Sequence, residues 1–246
     1  MVHHDIVVIG AGPAGSAAAY EAARMGLSPL LIEKDNFPGA MNACGGMAAY
    51  AFRDRLQLSD DVVEQEIRRT ILRIDGSRAE FFSGSPIYIS FRRSVFDSFL
   101  ANRAVKAGAE LITSARVTRI DPHKHHITFK DLKTGLDREV MAQIIIFADG
   151  PKTLARKAFG IGHLPGPRTR HALFWELEGS FSDVETMEII VDKSSQTTGY
   201  FWIFPKRDLV QVGVGAPCRN GGAPLKERLA EFVNGRAELC GREVLH

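Results

Sequence analysis

The chain has 246 residues, 45% of them apolar and 24% charged, and a formal charge of +2. These values describe an ordinary globular protein, long enough for one large domain or two small ones. Its Lys and Arg are dispersed among nearly as many Asp and Glu, with no long basic block, which argues against nucleic acid as a partner.

The apolar runs, such as "DIVVIG" and "AQIIIFA", fall far short of the ~18 residues of a membrane span. No positive region precedes an apolar stretch at the N-terminus, so no secretory signal is expected. Cys44, Cys218 and Cys240 are odd in number and form no CxxC, which fits a reducing compartment. The expected location is the cytoplasm or the cytosolic face of a membrane.

In chain order, "HDIVVIG" reads as a buried strand, "PAGSAAAYEAARMG" as a helix ending at Gly26, and "SPLLIEK" as a second strand. Together they have the size of a βαβ unit with a parallel pair. Residues 36–46 are rich in Gly, Pro, Asn and Ala and read as loop. "RRTILRIDG", "AEFFSG" and "PIYISF" read as short strands, an inserted ribbon near 69–92. "RRSVFDSFLANRAVKAG" has apolar residues at helical spacing and feeds a strand at "AELIT", a crossover into the main sheet. "ARVTRIDP", "HHITFKD" and "REVMA" read as an antiparallel meander, and "QIIIFADG" as a further buried parallel strand.

From about Arg168 the strands lengthen and alternate: "HALFWELEG", "TMEIIVD", "GYFWIFP" and "LVQVGVG", followed by one helix, "PLKERLAEFVNG". The expected architecture is α/β. A Rossmann-like dinucleotide-binding domain with a parallel sheet occupies 1–167, and a mainly antiparallel β domain begins at 168 and runs to 246.

The strongest local signal is Gly10-Ala11-Gly12-Pro13-Ala14-Gly15, a GxGxxG between an apolar strand and a helix. Gly10 permits the turn, Gly12 lets a pyrophosphate approach the backbone, and Gly15 lets helix and strand pack closely. The phosphate then meets free N–H groups and the positive end of the helix dipole. Glu33 ends the second strand eighteen residues after Gly15, beside Lys34, where a carboxylate can accept hydrogen bonds from ribose hydroxyls. FAD and NAD share this fingerprint, and Glu33 disfavours a 2′-phosphate. A separate segment at Asp149-Gly150, where a buried strand reaches the sheet's carboxyl edge, favours the longer FAD.

The ordered set GAGPAG, Glu33, "CGG", "RRSVFDSFL", "ADG" and "GYFWIFPK" resembles the geranylgeranyl reductase family of flavoproteins, within the p-hydroxybenzoate hydroxylase-like group. The motifs span residues 5 to 215. By that resemblance Gly10, Gly12, Ala14, Gly15, Glu33 and Lys34 hold the ADP half of FAD, Arg92 or Arg93 contacts the cofactor, and Asp149 with Gly150 lies near the pyrophosphate or ribityl chain. Cys44, Gly45 and Gly46 lie beside the isoalloxazine ring, with Cys44 the candidate catalytic residue. Tyr200, Trp202 and Phe204, at alternate positions of one strand, line a substrate channel.

Read alone, these residues leave other roles open. Cys44 alone is more often a small buried hydrophobe than a reactive thiol, two arginines opening a helix are more often solvated than functional, and an alternating aromatic strand is by default a packed sheet face. Cys218 and Cys240 carry no motif, and His123, His125 and His126 lie on a surface meander whose spacing suggests no metal site. Two departures stand out. Met47 occupies a position where the family usually has a third glycine, as FixC-like and electron-transfer-flavoprotein dehydrogenase relatives also vary. The family's later Gly-Asp flavin-binding segment does not occur before His246.

The implied activity is FAD-dependent reduction of carbon–carbon double bonds in geranylgeranyl or related isoprenoid lipids, with peripheral membrane contact. A ferredoxin, another flavoprotein or NAD(P)H would be the electron donor. The alternatives are FixC-like electron transfer, aromatic monooxygenation, or an incomplete FAD-binding half without activity of its own.

Overall fold

A computed structural model describes residues 2–41, 44–162, 170–192, 199–217 and 224–245. Strand β1 (Val2–Ile9) runs through Gly10–Gly12 into helix α1 (Pro13–Arg24) and, past Gly26, into β2 (Pro29–Ile32). Pro13 stands at the first helical position, where its missing N–H costs nothing, and Gly26 at φ +82° supplies the left-handed turn after the helix. There follow β3 (Met47–Ala49), α2 (Ala51–Leu56), β4 (Gln65–Ile67), β5 (Arg69–Ile74), β6 (Ser77–Phe82), β7 (Tyr88–Ser90) and the crossover helix α3 (Arg93–Lys106). Next come β8 (Glu110–Ile112), β9 (Ala115–Asp121), β10 (His126–Asp131), β11 (Asp137–Phe147) and α4 (Ala155–Phe159). The last elements are β12 (Arg170–Glu178), β13 (Thr186–Asp192), β14 (Gly199–Pro205), β15 (Leu209–Pro217) and α5 (Leu225–Asn234).

The chain divides into two units, one of Met1–Cys44 and Arg92–Leu164, the other of Gly45–Phe91 and Pro165–His246. The first contains a six-stranded sheet in the order β8-β2-β1-β11-β10-β9. β8, β2, β1 and β11 are parallel, whereas β9, β10 and β11 form an antiparallel meander. Alternation along β1 sends Ile6 and Val8 to a face packed with Ala19, Ala22 and Ala23 of α1 and Ala104 of α3. Val7 and Ile9 face Val117, Ile127 and Phe129 of the meander. Small residues on α1 set its close approach, so the glycine-rich turn at its start is held at the carboxyl edge of a rigid sheet.

The second unit holds a sheet in the order β12-β15-β14-β13-β5-β6 and a small sheet β3-β7-β4. All pairs of the larger sheet are antiparallel except β13 with β5. Helix α5 covers one face, where Phe201, Ile203, Val212 and Val214 meet Leu229 and Val233.

Two expectations change. The ribbon near 69–92, expected as an insertion in the first domain, belongs with the second unit: β5 pairs with β13 over Arg69–Ile74, and β6 extends that sheet. Apolar alternation in so short a ribbon does not reveal which distant strand it joins. The division expected between 167 and 168 falls outside the described residues. "REVMA" and "QIIIFADG", read as separate strands, are one strand, β11, which passes from an antiparallel partner, β10, to a parallel one, β1. Val140 pairs with both Ile127 and Val2, so the polar Gln143 after it marks an exposed position and not a break.

Candidate functional site

In the first unit the GxGxxG turn is shaped by close backbone contacts. Gly10 has φ +98° and donates its N–H to Ile32 O at 2.8 Å; a Cβ there would stand 2.5 Å from Ala148 O. At Gly15 a Cβ would come within 1.8 Å of Gly10 O. At Gly12 a Cβ would meet nothing within 4 Å, so this glycine keeps open space above the turn. Gly12 is the N-cap of α1, and Ala14 and Gly15 follow it in the first turn, where helical N–H groups lack partners inside the helix.

The buried Glu33 anchors this turn. Its Oε2 accepts the Ala11 N–H at 2.8 Å and its Oε1 accepts the Asp35 N–H at 2.9 Å. A carboxylate oxygen has a second lone pair, so Glu33 retains capacity for a ligand hydroxyl. Lys34, beside it, is exposed. Asp149 completes the group: Gly10 lies against its backbone, Oδ2 accepts the Leu154 N–H at 2.6 Å, and Oδ1 is buried with no hydrogen-bond partner among the described residues. Gly150 follows at φ +80°. The first unit brings together Gly10, Glu33 and Asp149, and the backbone of Ala148, quoted in "ADG" without a role of its own, is what makes Gly10 obligatory.

The two arginines at the head of α3 differ. Arg92 is the N-cap, with extended backbone. Arg93 makes a two-pronged ion pair with the buried Asp97, Nε to Oδ1 at 2.8 Å and Nη2 to Oδ2 at 2.7 Å. Asp97 chiefly, and Cys44 to a smaller extent, hold the Arg93 guanidinium above its usual pKa, while burial opposes them. Cys44 is exposed, which removes the buried-filler reading and puts its sulfur next to a fixed cation.

In the second unit, Tyr200, Trp202 and Phe204 alternate along β14 and point away from the α5 face, with ring centroids 5.7 and 6.0 Å apart. Register places Tyr200 opposite Gly215 and Trp202 opposite Gly213 on β15. A Cβ on Gly213 would stand 2.1 Å from the Trp202 ring, so the indole lies across its neighbouring strand because that strand has no side chain there. Trp202 is 5% exposed and its Nε1 has no hydrogen-bond partner among the described residues. Tyr200, 38% exposed, forms the open end of the row.

Gly45 and Gly46 meet the other end. A Cβ on Gly45 would stand 2.9 Å from the Phe204 ring, and one on Gly46, at φ +63°, would stand 2.0 Å from Phe91 O and 2.8 Å from Lys206 Nζ. Lys206 is fully buried, and its Nζ donates to the carbonyls of Phe91 at 2.5 Å, Gly45 at 3.3 Å and Gly46 at 3.4 Å. Sequence reasoning quoted this lysine at the end of "GYFWIFPK" and gave it no role, since a lysine after a strand normally reaches solvent. The alternate glycines of "VGVG" facing an aromatic strand were a second unused signal.

A family model described as FAD dependent oxidoreductase matches residues 5–159. Among curated proteins, the chain is 31% identical to a digeranylgeranylglycerophospholipid reductase of Methanosarcina acetivorans, over 96% of this chain and 60% of that one. It is 34% identical to digeranylgeranylglycerophospholipid reductase 1 of Methanopyrus kandleri, over 94% of this chain and 63% of the relative. The chain thus spans roughly three fifths of the length of these relatives. A geranylgeranyl bacteriochlorophyll reductase-like protein from Thermoplasma acidophilum has the same fold, with a TM-score of 0.87 over 100% of this chain and 65% of that one, at 22% identity.

Proposed function

The chain belongs to the FAD dependent oxidoreductase family, and on that premise we propose that it serves the reduction of carbon–carbon double bonds in geranylgeranyl or related isoprenoid lipid chains. The observation that carries this reading is the near end-to-end similarity, over 96% of this chain, to a relative named for reduction of a digeranylgeranyl lipid. The aromatic row of β14 supplies an apolar surface of the kind a polyprenyl chain requires.

The residues of the first unit fit FAD. Open space at Gly12 admits a pyrophosphate against the start of α1, and the spare lone pairs of Glu33 suit ribose hydroxyls. The buried Oδ1 of Asp149, which has no hydrogen-bond partner among the described residues, is an acceptor suited to a hydroxyl such as those of a ribityl chain. Gly10, Gly12, Ala14, Gly15 and Glu33 are assigned to the ADP half, with the exposed Lys34 at its edge. Arg92 or Arg93 is assigned to the cofactor by the resemblance, and the pairing of Arg93 with Asp97 fixes its guanidinium beside Cys44.

Reduced FAD supplies the hydride in such a reaction, and the protein supplies binding, orientation and exclusion of water. Tyr200, Trp202 and Phe204 are the residues proposed to line the lipid, with Tyr200 at the exposed end of the row. Among the described residues no helix is long and apolar enough to cross a membrane. Peripheral contact is the proposed route to a lipid substrate. The single dinucleotide fingerprint leaves electron delivery to a ferredoxin, another flavoprotein or a transient NAD(P)H.

The photoreduced holoprotein is mixed anaerobically with a digeranylgeranyl lipid or a quinone in separate cells, while a third cell receives a phenol together with dioxygen, the oxidant that hydroxylation requires, and flavin reoxidation is followed with mass analysis of the lipid and the phenol. Reoxidation coupled to a two-hydrogen mass gain per double bond supports the proposal. Turnover with quinone or phenol and none with the lipid overturns it.

A further inference from the structure

Strand β6 lies at the edge of the larger sheet of the second unit, and every residue in it is exposed. Phe81 is 60% exposed and Phe82 65%. Neighbours in a strand point to opposite faces, so the two rings serve different surfaces. One exposed phenyl on a protein needs no explanation. An edge strand that exposes two does, because such edges are normally blunted with charge.

Register separates the two faces. Ile190 of the α5 face pairs with Arg73, so Arg69 and Arg73 share that face with their partners across β6, Phe82 and Arg78. Here the charges are matched: Glu80 pairs with Arg69 and with Arg78, and Glu188 with Arg73. The Arg69 guanidinium also lies over the Phe82 ring, 5.3 Å from its centroid, so this phenyl already has a partner. The opposite face carries no charged residue in β5 or β6. On it Ala79 pairs with Leu72, Leu72 with Ile189 and Ile189 with Trp202, with Phe81 beside Ala79 at the outer end. At the usual strand spacing this row is roughly 14 Å long, and it joins the exposed edge to the aromatic row without leaving the second unit.

We propose that this face of the β5–β6 hairpin is the mouth of the lipid site: a polyprenyl chain leaves a lipid surface past Phe81 and lies across β5 and β13 to reach Trp202. This rests on the lipid-reductase reading above. Continuity with the aromatic row selects the occupant. A strand added to the edge by another chain would bond to the β6 backbone and would need no apolar row leading inward, whereas a flexible hydrocarbon chain uses that row along its whole length.

The chain's two tryptophans are Trp175 and Trp202, and Trp175 packs on the α5 face. In a Trp175→Phe background, Trp202 fluorescence is titrated with a geranylgeranyl glycerolipid that bears a nitroxide quencher at the chain end, dispersed in phosphatidylglycerol vesicles. Quenching should saturate, and Phe81→Asp should raise the lipid concentration at half-quenching about tenfold, the loss of one phenyl contact with hydrocarbon. Phe82→Asp, on the same strand but the matched face, should stay within about twofold. Phe81→Leu, which remains apolar, should bind as the background protein does. If Phe81→Asp does not fold, Phe81→Ser takes its place with a change in the same direction. Equal losses at positions 81 and 82, or none at 81, overturn this inference and leave the lipid reading standing. A Phe81→Asp variant that keeps full quenching and dissociates a dimer gives the edge to a second copy of the chain and likewise overturns it. Trp202 fluorescence that the geranylgeranyl lipid never quenches overturns the lipid reading and this inference together.

Discussion

The molecule contains two glycine turns that solve one problem with opposite charges. At Gly10–Gly15 a buried carboxylate, Glu33, accepts an N–H of the turn. At Gly45–Gly46 a buried ammonium, Lys206, donates to carbonyls of the turn. Both use glycine where a Cβ would strike neighbouring backbone, at Gly15 against Gly10 O and at Gly46 against Phe91 O. An anchor that binds the turn's donors leaves the adjoining helix start to receive phosphate. An anchor that binds its acceptors turns a donor outward. The anchor's charge thus decides which face of the peptide is offered.

The largest effect in that comparison belongs to Gly15. A Cβ only 1.8 Å from a backbone oxygen cannot be relieved by rotating a side chain, so Gly15→Ala should cost about 3 kcal/mol or more. Chemical denaturation of the variant beside wild type measures it, and an unchanged midpoint would mean the turn is looser than described. Lys206→Met comes next. It removes charge-assisted bonds to the buried Phe91 carbonyl and the half-buried Gly45 carbonyl, and at about 1.5–3 kcal/mol for a bond to a charged group this predicts a loss of about 3 kcal/mol by the same denaturation.

Glu33→Gln should do less. One amide oxygen still accepts, while the NH2 faces a backbone N–H, so about 2 kcal/mol of charge-assisted bonding is lost. FAD affinity should fall with it, about tenfold by titration, a difference of ~1.4 kcal/mol. A Gln variant indistinguishable from wild type would remove Glu33 from both roles.

The smallest effect lies at two exposed turns that repeat the carboxylate device in solvent. Asp121 accepts the N–H groups of His123 and Lys124, and Asp131 those of Lys133 and Thr134. The bond from Lys124 at the first and that from Thr134 at the second do most to hold these carboxyls below their usual pKa. A depressed folded pKa means stability that is present above the unfolded value, near 3.9, and lost as pH falls through the folded one. Asp121→Asn should therefore be slightly less stable than wild type at pH 6 and indistinguishable from it in strong acid. A difference that persists undiminished in acid would contradict the assignment.

The first turn was legible in the sequence because each of its glycines answers a local demand, and because strand, helix, strand and acid follow in order. Glu33 could be placed from spacing alone. The second turn was half legible. "CGG" marked the place, but Lys206 is 160 residues from the Gly46 carbonyl it binds, and nothing in "FPKRD" distinguishes a buried lysine from a solvated one. The same distance hid the pairing of β5 with β13 and moved residues 45–91 into the second unit. Gly213 and Gly215 were overlooked for a different reason: their meaning lies in the aromatic rings across the register, which only pairing reveals. Chemistry written within one supersecondary unit was readable, and chemistry assembled from distant strands was not.

The central claim is that the first turn binds FAD, and equilibrium titration of the purified full polypeptide with FAD, wild type against Gly15→Ala, tests it most directly. Quenching of flavin fluorescence should saturate stoichiometrically in the wild type, with a structured visible spectrum, and should be lost or weakened at least about 100-fold, some 2.7 kcal/mol, in the variant. Wild-type protein that leaves FAD fluorescence unquenched, or a Gly15→Ala variant that binds equally well, would contradict the account.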